Sequence, residues 1–130
     1  MQDLIREFMS QKRFAVVGAT DNPEKYGYKI FKDLTSRGYE VYPVNPRLKQ
    51  IEGSACYPTL SDIPLTVDVV DVVVPPEVTE RVLQESKRLG IDRIWLQPGS
   101  ENEVAIEFCH RNGLKVVHSV CVMIEGRSKE

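Results

Sequence analysis

The residues best suited to chemistry in this chain lie in short turns that each follow an apolar run. These turns are Gly18-Ala19-Thr20, Asn45-Pro46-Arg47, Pro75-Pro76 and Gln97-Pro98-Gly99. A glycine turn that leads into a helix presents backbone N–H groups to phosphate, and a guanidinium group pairs with phosphate in a bidentate manner. These residue types therefore indicate a site for a ligand that carries phosphate groups.

The spacing of these turns argues against NAD as that ligand. No glycine follows Gly18 until Gly27, so the three-glycine GxGxxG turn that holds a dinucleotide pyrophosphate is absent. The second strand ends in Asn45-Pro46-Arg47 and lacks the acidic residue that binds the ribose of NAD. Arg47 instead suits a phosphate on the adenosine ribose, which both NADP and coenzyme A (CoA) carry, and Lys25 is placed to reach the pyrophosphate of either. Residue chemistry alone leaves both ligands open.

The first of these turns lies between a predicted strand and a predicted helix. Residues 14–17 are apolar without interruption, which is typical of a parallel strand covered on both faces. Gly27, Ile30, Phe31 and Leu34 then fall on one face of a helix, where the missing Cβ of Gly27 permits a close approach to the strand. The helix is expected to start either at Asn22 and Pro23 or nearer Gly27.

The rest of the chain continues this alternation of strands and helices. Strands are predicted at residues 40–44, within 67–74, at 93–97 and at 115–118, with a short edge strand within 54–57 and a brief helix around 60–63. Helices are predicted near residues 4–9, 78–89 and 100–113. In the last of these, Ser100 and Glu103 fit a capping box, and Val104, Ala105, Phe108 and Cys109 face inward.

This order predicts an α/β fold, a Rossmann-like doubly wound parallel sheet of about five strands with helices on both faces. The 130 residues form one predicted domain, with an N-terminal helix in 1–12, a core in 13–125 and a polar tail in 126–130. The ligand crevice is expected between the ends of the strands at 14–18 and 68–74, where the winding direction reverses.

Composition narrows the classes of function. A formal net charge of −2 gives no indication of a nucleic-acid partner, and no apolar run approaches membrane-spanning length. Three cysteines without CxxC spacing and two histidines away from other ligands predict neither a disulfide framework nor a metal site, and they favour a cytoplasmic location. Trp95 is predicted to lie in the core, and Asp68 and Asp71 are predicted either to flank the sheet or to hydrogen-bond within it. No catalytic residues are predicted.

Several motifs together resemble a known family. They are residues 17–20, 38–46 and 53–58, Trp95-Leu96-Gln97-Pro98-Gly99 and Cys121. In their order and spacing, from about Phe14 to Glu125, they resemble the small stand-alone CoA-binding proteins. That family is similar to the CoA-binding N-terminal domain of the succinyl-CoA synthetase α subunit.

The resemblance implies which residues touch the ligand. The pyrophosphate would contact Gly18, Ala19, Thr20, Lys25 and Tyr26; the adenosine end would be surrounded by Asn45, Pro46 and Arg47; the other wall would be Val74, Pro75, Gln97, Pro98 and Gly99. Many members carry an Asp-Arg pair before the cysteine, whereas Ser119-Val120 precede Cys121 here. Near the pantetheine end, Cys121 either contacts the CoA thiol, with which its own thiol would form a mixed disulfide, or is a small buried residue.

The leading hypothesis is accordingly a CoA-binding or acyl-CoA-binding module without catalysis of its own. An NADP-dependent oxidoreductase or redox sensor is one alternative. The other is a subunit of an acyl-CoA synthetase or transferase that another chain completes. The sequence identifies neither a protein partner nor an oligomeric state.

Overall fold

The centre of the protein is a five-stranded sheet in which all neighbouring strands are parallel. The computed structural model describes residues 1–125, and the polar tail expected at 126–130 lies outside them. The elements are α1 (Gln2–Met9), β1 (Arg13–Val17), α2 (Tyr26–Ser36), β2 (Glu40–Val44), β3 (Gln50–Ile51), β4 (Ser54–Ala55), β5 (Val69–Val72), α3 (Pro76–Arg88), β6 (Arg93–Leu96), α4 (Glu103–Arg111), β7 (Lys115–His118) and α5 (Val122–Glu125).

The strand order, β2-β1-β5-β6-β7, reverses direction between β1 and β5. The first half of the chain winds to one side of β1 and the second half to the other, as in doubly wound folds. The predicted α/β class, the five-stranded parallel sheet and the single domain are confirmed. Within residues 1–125, every helix is too short or too polar to cross a lipid bilayer.

The core has one layer on each face of the sheet. β1 contributes to both, since Ala15 and Val17 pack with α3 and α4 while Phe14 and Val16 pack with α1 and α2. All four side chains are buried. The continuous apolar run therefore reflects a strand with no solvent-facing side. Trp95 lies in the second layer, fully buried, and its indole N–H donates to the Val120 carbonyl at 2.9 Å, which confirms its predicted core position.

Two glycines let β1, β5 and α2 approach one another closely at the rim of the sheet. A Cβ on Gly27 would stand 2.1 Å from the Gly18 carbonyl oxygen, so the predicted reason for this glycine is confirmed. Gly18 itself has φ +101°, and a Cβ there would stand 2.1 Å from the Val73 carbonyl oxygen. Only glycine fits at either position, for a steric reason at Gly27 and for both steric and conformational reasons at Gly18.

Of the two starts expected for α2, the one near Gly27 is correct. The helix begins at Tyr26 with Lys25 as the N-cap residue. The start at Asn22 and Pro23 is wrong because the Asn22 side chain closes a separate turn, in which its Oδ1 accepts the Glu24 N–H at 3.0 Å. The longer loop moves the exposed Lys25 up to the rim.

The predicted capping box of α4 is also wrong. The N-cap residue is Asn102, whose Oδ1 accepts the Ala105 N–H at 2.8 Å. Ser100 is instead buried, and its hydroxyl oxygen accepts the Val74 N–H at 3.0 Å, which ties the ends of β5 and β6 together. With the helix start moved by two residues, Val104 is 58% exposed rather than inward, while Ala105 and Cys109 are buried as predicted.

The segment after β2 folds back over the edge of the sheet. β3 and β4 form a two-residue antiparallel hairpin, so the edge strand predicted within 54–57 is shorter than expected. Tyr57 lies beside Val44, and its carbonyl accepts the Asn45 N–H at 2.9 Å. This pairing brings the loop at residues 58–59 to the rim. A short 3-10 helix, Leu60–Asp62, occupies the place of the predicted brief helix.

Candidate functional site

Two adjacent clefts open at the carboxyl ends of the parallel strands. The first cleft, of about 430 Å³, is lined by Val17, Gly18, Val44, Asn45, Pro46, Arg47, Pro58, Thr59, Val74, Val78, Arg81, Val82 and Glu85. The second cleft, of about 130 Å³, is lined by Tyr26, Ile30, Val73, Gln97, Pro98, Cys121, Met123 and Ile124. Val74 lines the first cleft and Val73 the second, and the two residues pack into opposite layers of the core, so both clefts reach the end of β5, from opposite faces of the sheet.

The residues predicted from sequence divide between these clefts. Five line the first cleft: Gly18, Asn45, Pro46, Arg47 and Val74. Four line the second: Tyr26, Gln97, Pro98 and Cys121. The remaining five, Ala19, Thr20, Lys25, Pro75 and Gly99, lie in the turns of the same rim without lining either cleft. The rim therefore collects all the predicted turns but holds them around two spaces rather than one.

Asn45 fixes the relative position of two turns of the first cleft. Its Nδ2 donates to the Ala19 carbonyl at 2.8 Å, and its Oδ1 accepts the Arg47 N–H at 2.8 Å. Because Pro46 disfavours a helical conformation for the residue before it, the chain leaves β2 extended. Arg47 is consequently held at the exposed mouth of the cleft.

The opposite wall of the first cleft is a face of α3 that sequence reasoning missed. Val78, Arg81, Val82 and Glu85 fall at i, i+3, i+4 and i+7, a spacing that would have identified this face. The Glu85 carboxylate accepts the Ser61 hydroxyl at 2.7 Å and the Ser61 N–H at 3.0 Å. Oε2 of Glu85 is thereby bound to the neighbouring loop.

The first cleft carries two arginines whose charge is not neutralised by a close carboxylate. Among residues 1–125, the salt bridges of arginine involve Arg6, Arg13, Arg37, Arg88 and Arg93, and none involves Arg47 or Arg81. Both side chains are exposed. Their guanidinium donors are available to a phosphate group, which they can bind in a bidentate manner.

The loop that joins β1 to α2, residues 18–25, ends at the first turn of α2. The N-cap residue Lys25 makes no side-chain capping bond, and the first N–H groups of a helix have no acceptor within the helix. The Thr20 hydroxyl oxygen accepts the Asn22 N–H at 3.3 Å and shapes the loop that precedes them. The positive end of the α2 dipole, the unbound N–H groups and Lys25 together favour an anion here.

The floor of the second cleft is a buried polar pair. Gln97 is 2% exposed; its amide nitrogen donates to Oδ1 of Asp71, and its amide oxygen accepts the Val122 N–H at 3.2 Å. Asp71 is fully buried, and its Oδ2 has no partner among the described residues. Burial raises the pKa of Asp71 to about 7, against the opposing effect of the bond from Gln97. Of the two positions expected for Asp71, hydrogen bonding within the sheet is correct, and the donor is Gln97, the residue directly after β6.

Cys121 lines the second cleft as a neutral thiol. Burial raises its pKa above the ordinary value, and the nearby Asp71 charge adds to the effect. All three cysteines have free thiols. No three His, Cys, Asp or Glu side chains in the described part of the chain are grouped as a metal site requires. The groups described at the rim include hydrogen-bond donors, cations and apolar side chains.

Comparison with known proteins places this geometry in context. Residues 12–127 match the family described as the CoA binding domain. Among solved structures, a hypothetical protein from Pyrococcus horikoshii superposes with a TM-score of 0.93 at 34% identity, covering 98% of this chain and 91% of that one. A conserved hypothetical protein from Pyrococcus furiosus is 43% identical with a TM-score of 0.84, covering 88% of this chain and 98% of that one.

Two curated relatives differ in length. The uncharacterized protein YneT of Bacillus subtilis is 30% identical over 121 residues, which cover 92% of this chain and 90% of YneT. The α subunit of the ADP-forming acetate–CoA ligase II of Pyrococcus furiosus is 30% identical over 128 residues, which cover 90% of this chain. The match spans only 28% of that subunit.

Proposed function

Since the chain belongs to the CoA binding domain family, we propose that it binds coenzyme A or an acyl-CoA across its two clefts, as a module without catalysis of its own. The predicted kinship with the CoA-binding domains of acyl-CoA synthetases is confirmed by the family and by the ligase subunit. The particular observation that supports the proposal is the pair of arginines at the first cleft.

The proposed pose follows the charges along the rim. The adenosine end of CoA occupies the first cleft, where Arg47 and Arg81 face its 3′-phosphate. The pyrophosphate lies at the first turn of α2, near Lys25. The pantetheine arm crosses the end of β5 and enters the second cleft. At this crossing Gly18 carries no side chain, so nothing from that position obstructs the arm.

The sizes of the clefts are consistent with this division. The first cleft, of about 430 Å³, falls within the range of about 300–1,000 Å³ that is typical of ligand pockets. The second cleft, of about 130 Å³, is too small for a nucleotide but suits the narrow sulfur end of CoA. A ligand with one bulky charged end and one slender end matches both spaces.

The same two arginines would also bind the 2′-phosphate of NADP, so the experiment below includes NADP as a ligand. Membership of the CoA binding domain family favours CoA over NADP. The similarity to a ligase α subunit favours a second candidate function, in which this domain presents acyl-CoA to a catalytic partner chain. Co-purification of a larger chain with the tagged protein would support that second candidate.

Isothermal titration calorimetry with CoA, NADP and NAD tests the proposal. We expect saturable binding of CoA, with much weaker heats for NADP and NAD. Arg81→Ala should weaken CoA binding, whereas Arg111→Ala, at the exposed end of α4, should not. Binding of NADP alone would refute the CoA assignment, and absence of any nucleotide binding would refute the proposed site.

A further inference from the structure

The second cleft has a mainly apolar lining that includes one polar group, the Gln97 amide. Four of its side chains are aliphatic or thioether: Ile30, Val73, Met123 and Ile124. An apolar protein cavity of about 150 Å³ accepts benzene, with its six carbons. A cleft of about 130 Å³ is by comparison suited to an apolar group of roughly four carbons beside a sulfur atom. A bare thiol would leave most of this space unfilled.

The mouth of the second cleft exposes apolar surface. Tyr26 is 63% exposed and Ile124 is 67% exposed, and they lie on two different helices. Exposed apolar residues grouped at one opening indicate a surface that a ligand covers. A chain that enters between Tyr26 and Ile124 would bury this surface.

The Gln97 amide is the polar group in the lining of the second cleft. Asp71 accepts from its nitrogen, and the Val122 N–H donates to its oxygen, so the two bonds fix which way round the amide lies. An amide nitrogen carries two hydrogens, and Asp71 uses only one. The other N–H is available to an acceptor in the cleft. A thioester carbonyl is such an acceptor, whereas a thiol is a poor one.

The charges around the cleft oppose an anionic ligand end. None of its lining residues is cationic, and the carboxyl group of Asp71 lies behind Gln97. The Lys29 ammonium does not line the cleft but lies 5.8 Å from the centroid of the Tyr26 ring, at its mouth. A second carboxylate placed inside the cleft, beside Gln97, would lose its hydration without gaining a counter-ion. The arginines of the protein's rim stand in the first cleft instead.

We infer that the second cleft is an acyl site that selects acyl-CoA thioesters with a short, uncharged acyl chain. The inference rests on the proposed function and adds the substrate class. Gln97 donates to the thioester carbonyl, and Ile30, Met123 and Ile124 surround the acyl carbons. The thiol of Cys121 forms another part of the cleft wall. Because this thiol is neutral, it does not attack the thioester.

Calorimetric titrations with CoA, acetyl-CoA, propionyl-CoA, butyryl-CoA, palmitoyl-CoA and succinyl-CoA test the inference. Affinity should rise about fourfold for each added methylene up to butyryl, the fold-change equivalent to about 0.8 kcal/mol per buried CH₂. Palmitoyl-CoA should bind no better than butyryl-CoA. Succinyl-CoA, with the same number of acyl carbons as butyryl-CoA but a terminal carboxylate, should bind at least about tenfold more weakly than butyryl-CoA.

A cleft-filling variant separates an acyl site from general binding. Met123→Phe should reduce the affinity for butyryl-CoA at least about tenfold, and it should reduce the affinity for CoA clearly less than that. Val104→Phe, a similar change at an exposed position of α4, should alter neither. A flat acyl series, equal affinity for succinyl-CoA and butyryl-CoA, or an equal effect of Met123→Phe on CoA and butyryl-CoA would overturn the inference. CoA binding would then still support the proposed function, whereas loss of all binding would refute both.

Discussion

Replacing Asp71 with asparagine should stabilise the protein in neutral and alkaline solution. Asp71 is fully buried in β5, and the bond from Gln97 is the only hydrogen bond to its carboxylate among residues 1–125. An ionised carboxylate in such surroundings is poorly compensated, because one of its oxygens has no donor. Asparagine has the same shape, keeps an oxygen to accept from Gln97 and carries no charge.

The magnitude follows from the raised pKa. Burial moves the pKa of Asp71 from 3.8 to about 7, and each pKa unit corresponds to about 1.36 kcal/mol, so the effect is on the order of 4 kcal/mol. Well below pH 4 the carboxyl is protonated in both the folded and the unfolded chain. As the pH rises to about 7, the folded protein keeps a proton that the unfolded chain has released, so the free energy of unfolding falls. Above about pH 7 the free energy of unfolding no longer changes through this group.

Urea unfolding followed by the fluorescence of the single tryptophan, Trp95, measures the effect. The free energy of unfolding of Asp71→Asn minus that of the wild type should rise between about pH 4 and about pH 8 by several kcal/mol. Asp68→Asn is the matched control, because the Asp68 carboxylate accepts the Lys12 and Arg13 N–H groups at 3.2 and 2.9 Å. That variant should be destabilised. Parallel pH profiles for Asp71→Asn and the wild type would refute the reasoning.

Two further predictions concern the rim. Gly27→Ala should lower the free energy of unfolding by at least about 3 kcal/mol, because the new Cβ would lie 2.1 Å from the Gly18 carbonyl oxygen. The control Gly38→Ala, at φ +92° with nothing within 4 Å, should lower it by only about 1 kcal/mol. Equal losses for the two variants in urea unfolding would contradict the close approach of α2 to the turn at Gly18. Burial raises the pKa of the Cys121 thiol, so its alkylation by iodoacetamide, followed by peptide mass spectrometry, should be slower near neutral pH than that of an exposed cysteine and should accelerate as the pH rises. Bound CoA should slow it further; a rate that neither pH nor CoA alters would be inconsistent with a buried thiol in the ligand cleft.

Much of the fold was predictable because local patterns and long-range packing agree. The uninterrupted apolar run in β1 has no alternative to burial on both faces, and this prediction is confirmed. Gly27 on the buried face of α2 predicted the close approach to β1. The alternation of strands and helices then leaves few topologies, so the rim and its turns followed from the sequence.

The errors arose where a residue's partner is distant in the sequence. The sequence predicts Ser100 as a helix cap because the N–H three residues later is a suitable donor, but the Ser100 hydroxyl oxygen instead accepts the N–H of Val74, just after β5. Arg81 was missed because only the strand order brings α3 beside the turn after β2. The pairing of Asp71 with Gln97 likewise depends on the register of β5 and β6. These contacts can be identified only when the order and register of the strands are known.

The most direct test of the account is a calorimetric cycle of two proteins and two ligands. Wild type and Arg47→Ala are each titrated with CoA and with dephospho-CoA, and Arg111→Ala serves as the control. An arginine–phosphate hydrogen bond of about 1.5–3 kcal/mol predicts a loss of roughly tenfold to a hundredfold in affinity when either partner is removed, and little further loss when both are. Wild-type protein that binds CoA and dephospho-CoA equally, or that binds neither, would contradict the account.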